Sequence, residues 1–155
     1  MLLIAPFFYV DLSKYFLVNQ SELLKEINKM SSNTLMETLD IVFTEIGDNY
    51  VICKMPVNSS VHQPAGILHG GATAALVETV GSFASRYFIK DKDLAIRGVE
   101  ITTNHVRSIS EGFVYAKASN IHMGRTMQIW EVRVTDQSEK LISIGKLTTL
   151  AIKKL

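Results

Sequence analysis

The sequence predicts an α+β domain in which one antiparallel sheet wraps around one long central helix. Three observations carry this expectation. Residues 70–88 form a proline-free, alanine-rich run in which Leu76, Val80, Phe83 and Tyr87 recur at helical spacing. Two alternating runs, 39–46 and 50–57, flank Gly47-Asp48-Asn49 and read as a hairpin. After the long helix come four more alternating runs joined by short turns, which predict an antiparallel meander.

Taken in order, the chain supports each element. Ser21 is placed to cap a first helix, in which Leu23, Leu24, Ile27 and Met30 share a face, and Ser31-Ser32-Asn33 ends it. The hairpin follows, then a polar loop over residues 58–64. The long helix begins at the glycine pair Gly70-Gly71. The four later strands are expected at 96–107, 113–121, 126–135 and 141–152, with turns at 110–112, 122–125 and 136–139. The sequence contains no internal repeat and no low-complexity linker.

Bulk composition narrows the function. The 155 residues suffice for one domain with a sizeable core, and 47% hydrophobic with 20% charged residues fits a soluble globular chain. Sixteen basic residues against fifteen acidic ones give no electrostatic basis for a nucleic-acid partner. A single cysteine, Cys53, makes no intrachain disulfide and fits a reducing, cytoplasmic compartment. It lies in an alternating run and reads as a core strand thiol rather than a nucleophile.

Residues 1–10 are apolar apart from Tyr9, and the run breaks at Asp11 and Lys14. No basic n-region and no small-residue cleavage site marks a signal peptide. The run is half the length of a membrane span, so no membrane partner is expected. Residues 1–20 therefore read as an N-terminal extension, either an apolar segment packed on the domain or the product of a start codon assigned too early. Residues 21–155 read as the domain itself.

Elimination leaves one stretch for chemistry. There is no G-x-S-x-G, no phosphate loop and no G-x-G-x-x-G. His62, His69, His105 and His122 are too scattered for a zinc motif, so no metal is expected. In G-I-L-H-G-G-A-T-A-A-L-V-E-T-V-G, residues 66–81, the glycine pair opens a helix whose first N–H groups have no internal partners. Such donors suit a carbonyl oxygen that becomes an oxyanion. Glu78 lies eight residues after Gly70, about 12 Å along the axis. Gly71, Ala74, Ala75, Glu78, Ser82 and Ser85 share a small, weakly polar side of the helix. By the residues alone, Glu78 is either a solvated helix acid or a reacting carboxylate. The glycines are either a helix entry or an oxyanion site, and His69 is either a cap or a substrate ligand.

The run H-Q-P-A-G-I-L-H-G-G-A-T-A-A-L-V-E-T-V-G-S, residues 62–82, resembles the signature of hotdog-fold acyl-CoA thioesterases. The branch it is most similar to groups the phenylacetate-pathway enzymes with 1,4-dihydroxy-2-naphthoyl-CoA hydrolase of menaquinone synthesis. The likeness continues in V-E-I-T-T-N-H-V-R-S (residues 99–108), I-H-M-G-R (121–125) and K-L-T-T (146–149), and spans about residues 25–152.

The resemblance implies a role for each matching position. Glu78 is the catalytic carboxylate, as general base or nucleophile, and Gly70 supplies the N–H that polarises the thioester carbonyl. Gln63 and His69 position the thioester, and Ser82 stands beside the attacking group. Gly98, Asn104, His105, Val106, Arg107 and Ser108, with His122, Met123, Gly124, Arg125 and Thr126, fall where the family binds coenzyme A. That molecule is part of the substrate, so no cofactor is implied. The resemblance also implies a homodimer or homotetramer with the site between subunits and Glu78 facing a partner's loop.

Elementary chemistry agrees with these roles, because thioester hydrolysis needs an activated water or nucleophile and an oxyanion donor, and no metal. Arg107 and Arg125 are suited to coenzyme A phosphates. Two other readings stand beside hydrolysis. A hotdog hydratase or dehydratase would use a His with an acid in a different motif, which the sequence lacks. A non-catalytic acyl-CoA-binding module would have no need of Glu78.

Overall fold

A computed structural model describes residues 19–91 and 93–154, so the expected extension lies outside the described residues except for Asn19 and Gln20. Helix α1 spans Gln20–Lys29 and buries Leu23 and Ile27. Its cap is Asn19 rather than Ser21: the Asn19 side chain accepts the Ser21 N–H. A short helix, α2 (Leu35–Thr38), occupies residues just before the first strand. Its signal is T-L-M-E, residues 34–37: Thr34 Oγ1 accepts from Met36 N–H, and the Glu37 carboxylate accepts from Asn33 N–H. Strand β1 therefore begins at Val42 and not at residue 39.

Strands β1 (Val42–Ile46) and β2 (Tyr50–Val57) form the expected hairpin. Helix α3 runs Gly70–Phe88, followed by β3 (Leu94–His105), β4 (Gly112–Met123), β5 (Met127–Asp136) and β6 (Leu141–Lys153). All six strands join one antiparallel sheet in the order β1-β2-β4-β5-β6-β3. The four-strand meander is thus corrected. β4, β5 and β6 form one, but β3 pairs with β6 at the far edge. Alternation identifies strands but not their partners, and β2 takes the edge of β4 that β3 would have used, in unbroken register from Tyr50↔Ser119 to Val57↔Gly112. Residues 106–111 must then cross one end of the sheet. Val106 and Arg107 both donate their N–H groups to Ile142 O there, and Ile109 O accepts from Leu68 N–H.

The sheet curls around α3. Alternate residues of β2 (Val51, Cys53, Met55, Val57) and β5 (Gln128, Trp130, Val132, Val134) point into the core, as period-2 strands require. From the helix come Leu76, Val77, Val80, Phe83 and Ala84. Phe83 meets Phe43 with ring centroids 4.4 Å apart, and Phe88 stacks on Trp130 at 5.8 Å. Helix and sheet approach closely because each offers a glycine to the other's branched side chain: Gly81 seats Leu147, and Gly145 seats Val77. Each buried Val, Leu or Phe contributes about 1.5–3 kcal/mol. Cys53 is fully buried, and burial pushes its thiol pKa up, which keeps it a protonated core side chain.

Strand β3 is an edge. Val99 and Ile101 remain exposed on it, and among the described residues nothing pairs with its outer side. Among the described residues no helix is long and apolar enough to cross a membrane.

Candidate active site

The loop before α3 is built to deliver Gln63 and His69. Asn58 caps a 3-10 turn, Ser59–Val61, and His62 bridges to Leu68. Gln63 N–H donates to Ile67 O, and Gly66 N–H donates to Gln63 O, with Gly66 at φ +73° in the left-handed region where glycine is favoured. His69 is the N-cap of α3: its Nδ1 accepts the Gly71 N–H at 2.8 Å. In the neutral ring this leaves the proton on Nε2, so His69 presents a donor outward. The cap reading of His69 is therefore realised, and it leaves the other nitrogen available to a ligand. Ala72 and Thr73 donate to His69 O, while the Gly70 N–H finds no partner among the described residues.

Gly70 opens onto a cleft of about 320 Å³ lined by Gln63, Thr73, His105, Val106, Arg107 and Ser108 among others. The crossing segment over the sheet end is what carries Arg107 and Ser108 there. His105 stands against Gly70, close enough that a side chain on Gly70 would strike its Nε2. The buried Ser143 hydroxyl donates to Asn104 O and lies 3.1 Å from His105 Nδ1, so that nitrogen is the donor between them and fixes the ring. Arg107 is exposed, its Nε 3.4 Å from Leu141 O.

Glu78 lies two turns further along α3, partly buried. Ser82, one turn on, donates its hydroxyl to Glu78 Oε1 at 2.9 Å. Across the gap stands Gly98 of β3, where any side chain would overlap the carboxylate. The register of β3 on β6 shifts between Gly98 and Glu100, a bulge beside the acid. Among the described residues no hydrogen bond reaches Oε2 and no cation pairs with Glu78. Such a carboxylate can take a proton from water or attack a carbonyl carbon.

The third group is the β4–β5 turn. His122, Met123, Arg125 and Thr126 are exposed on it, and the His122 ring packs where a side chain on Gly124 would stand. This turn lies beside Leu150 and Ala151, at the Leu94 end of β3. The Gly70 cleft lies at the His105 end. Gly98 and His105 are seven residues apart on an extended strand, about 23 Å.

One chain thus brings Gly70, Gln63, Asn104, His105, Val106, Arg107 and Ser108 to one end of β3. It brings Glu78, Ser82 and Gly98 to the middle and His122–Thr126 towards the other end. Gly70 lines the first cleft, and Glu78 lines neither that cleft nor the one His69 faces. His69 faces a second cleft of about 350 Å³, with Leu35, Leu39, Val61, His62 and Ala75. Sequence reasoning missed Gln128 and Trp130, met Thr149 only within K-L-T-T, and set Ser85 on the weakly polar side of the helix, whereas Ser85 is fully buried and the four form a buried polar chain beneath the turn. A glutamine and a threonine at core-facing strand positions were the available signal. Among the described residues no group of three or more His, Cys, Asp or Glu side chains is placed to hold a metal ion.

Comparison with known proteins bears on this arrangement. Residues 65–143 match the family model described as the thioesterase superfamily. The chain is 39% identical over 126 residues to the proofreading thioesterase EntH of Cronobacter sakazakii, covering 81% of this chain and 91% of that one. Among solved structures, a thioesterase from Haemophilus influenzae superposes with a TM-score of 0.81 at 33% identity, over 84% of this chain and 90% of that one. A thioesterase mutant from Pseudomonas aeruginosa gives 0.82 at 34%, over 84% and 94%. The chain belongs to the thioesterase superfamily: it is a thioester hydrolase with the hotdog fold.

Proposed function

We propose that this hydrolase cleaves an acyl-CoA thioester with an aromatic acyl group, 1,4-dihydroxy-2-naphthoyl-CoA or a phenylacetyl- or benzoyl-type CoA, at a site shared by two subunits. The observation that carries the proposal is the Glu78 carboxylate: anchored through Oε1 by Ser82, given room by Gly98, and free at Oε2 among the described residues. The carbonyl oxygen of the thioester accepts from the Gly70 N–H, with His69 Nε2–H and Gln63 as further positioning groups. Acting as a base, Glu78 takes a proton from water as the water oxygen bonds to the carbonyl carbon. The oxyanion forms against the helix N-terminus. Its collapse breaks the C–S bond, and the proton passes to the departing thiolate. Acting as a nucleophile, the Glu78 carboxylate bonds to the carbonyl carbon, the C–S bond breaks to release the coenzyme A thiolate, and water opens the resulting anhydride to give the free acid and restore Glu78. No metal or cofactor takes part in either route.

Two features support a shared site: within one chain the Gly70 cleft lies at the His105 end of β3 while Glu78 stands beside Gly98, and β3 is a free edge among the described residues. An unpaired edge strand with exposed Val99 and Ile101 invites a second copy. Two copies of β3 paired antiparallel about a two-fold axis would set the His105 end of one strand beside the Leu94–Gly98 end of the other. Such a pairing would bring the Gly70 cleft of one chain toward Glu78 of its neighbour, in a dimer or in a tetramer of such dimers. Arg107 and Arg125 would meet the phosphates of coenzyme A from two subunits.

The test is a panel of aromatic and aliphatic acyl-CoAs followed by release of free thiol, for the wild type and for Glu78→Gln. Aromatic thioesters are expected to turn over fastest, and Glu78→Gln to lose at least about a hundredfold in kcat. Unchanged turnover in Glu78→Gln would overturn the mechanism. Preference for aliphatic thioesters would overturn the substrate class. Binding of coenzyme A with no turnover of any thioester would favour the binding-module reading.

A further inference from the structure

Beneath the β4–β5 turn runs a continuous line of buried polar side chains. Trp130 Nε1–H donates to Ser85 Oγ at 2.6 Å, Ser85 Oγ lies 2.7 Å from Thr149 Oγ1, and Thr149 Oγ1 donates to Gln128 Oε1 at 2.8 Å. The line ends where Gln128 Nε2 donates to the Gly124 carbonyl at 2.8 Å. Trp130, Ser85, Gln128 and Thr149 are all fully buried.

Its direction is fixed at both ends. Indole N–H only donates and a backbone carbonyl only accepts. Gly124 O requires the amide nitrogen of Gln128, so the amide oxygen faces Thr149. Thr149 must therefore donate to Gln128 and accept from Ser85, and Ser85 accepts from Trp130. No member can rotate without leaving a buried group unpaired.

The turn is held at other points by surface and backbone groups. Asn120 Nδ2 donates to His122 O, Ala151 N–H donates to Thr126 O, and Gly124 N–H donates to Met127 O. Among the described residues, Gln128 is the one buried side chain that hydrogen-bonds the turn. From Trp130 the line passes through α3, the helix that carries Glu78, at Ser85, two turns beyond the acid. It passes through Thr149, the residue opposite Gly98 in the β3–β6 register.

We infer that Gln128 is a positioning residue for coenzyme A recognition: with Thr149 and Ser85 it locks the Gly124 carbonyl and so presents Arg125 and the turn backbone to the nucleotide end of the substrate. This rests on the reading that the turn binds coenzyme A. Gln128 touches no substrate itself, so its effect is on KM for substrates that carry the nucleotide and not on the bond-breaking step.

The experiment compares one acyl group carried on coenzyme A and on N-acetylcysteamine, which lacks the nucleotide. Gln128→Met is expected to raise KM for the acyl-CoA about tenfold, the size of effect one lost hydrogen bond to a binding loop produces. The kcat should stay within about twofold, and KM for the N-acetylcysteamine thioester should be unchanged. Thr149→Val should move KM in the same direction, and Thr149→Ser, which keeps the hydroxyl, should restore it. If Gln128→Met does not fold, the Thr149 pair carries the test. Equal KM changes on both substrates, or none, would overturn the positioning role. Arg125→Ala separates the two readings. If it raises KM for the acyl-CoA alone while Gln128→Met does not, the turn binds coenzyme A and the positioning role is wrong. If Arg125→Ala leaves that KM unchanged, the turn does not bind the nucleotide and both readings fail.

Discussion

Glu78 and Gly98 occupy one space: the carboxylate of the helix residue fills the volume that a side chain on the strand residue would need. Gly98→Ala must therefore push the carboxylate aside while leaving an exposed strand position that otherwise tolerates a methyl group. Displacement of a reacting group by about 1 Å costs on the order of a hundredfold. The expected outcome is a fall in kcat of about 10–100-fold with unaltered circular dichroism, measured by thiol release.

Ser82 holds the same carboxylate from the other side. Ser82→Ala leaves Glu78 in place but free to rotate, and a partly exposed group recovers some of the lost bond from water. A decrease in kcat of a few-fold, with KM unchanged, is expected in steady-state kinetics. A loss as large as that of Glu78→Gln would mean that Ser82 itself reacts.

Much of this arrangement was legible in the sequence, and the failures have physical causes. The long helix, the hairpin and every later strand were visible because period 3.6 and period 2 are imposed by burial on one side. The motif around residues 62–82 contained Gln63, His69, Gly70, Glu78 and Ser82 because they lie close along the chain. The partner of β3 was not visible, since pairing across the sheet depends on which edge is already taken. The cap at Asn19 and the turn at Leu35–Thr38 were missed for a smaller reason: local side-chain bonds to the backbone compete over one or two residues. The contact of Gly98 with Glu78 joins residues twenty apart, and no spacing announces it.

His69 combines a structural bond with a proposed functional one, and substitution separates them. Asn at position 69 keeps a capping oxygen for Gly71 N–H but removes the outward Nε2 donor. Ala removes both. His69→Ala should lower stability by about 1 kcal/mol as a lost N-cap, read from thermal or urea unfolding. His69→Asn should unfold much as the wild type does, with turnover reduced to the level of the alanine variant.

Ser85 ties Trp130 to Thr149 in the dry interior. Ser85→Ala strands the indole N–H and should cost about 1–3 kcal/mol in urea denaturation. Combined with Thr149→Val it should cost less than the sum of the two, because the second change removes a bond the first has already broken.

Cys53 supplies a pH dependence. Burial raises its thiol pKa in the folded chain above the ordinary value near 8.5. The unfolded chain releases that proton first, so this contribution is complete below about pH 8.5 and is lost as pH rises toward the folded value, at up to about 1.4 kcal/mol per pH unit. Cys53→Ala should flatten that part of the alkaline slope, measured by denaturation between pH 7 and 10. In the wild type an aromatic disulfide reagent should label Cys53 only on unfolding.

The shared site meets its most direct test when two inactive variants are mixed. Gln63→Ala disables the cleft and Glu78→Gln disables the acid, each lowering turnover in its own homo-oligomer. After joint unfolding and refolding, half of randomly assorted dimers contain one of each. If Glu78 serves the neighbour's cleft, each of these has one intact site, and the mixture should recover about a quarter of wild-type activity. Activity no higher than the mean of the two parent variants would show that acid and cleft act within one chain.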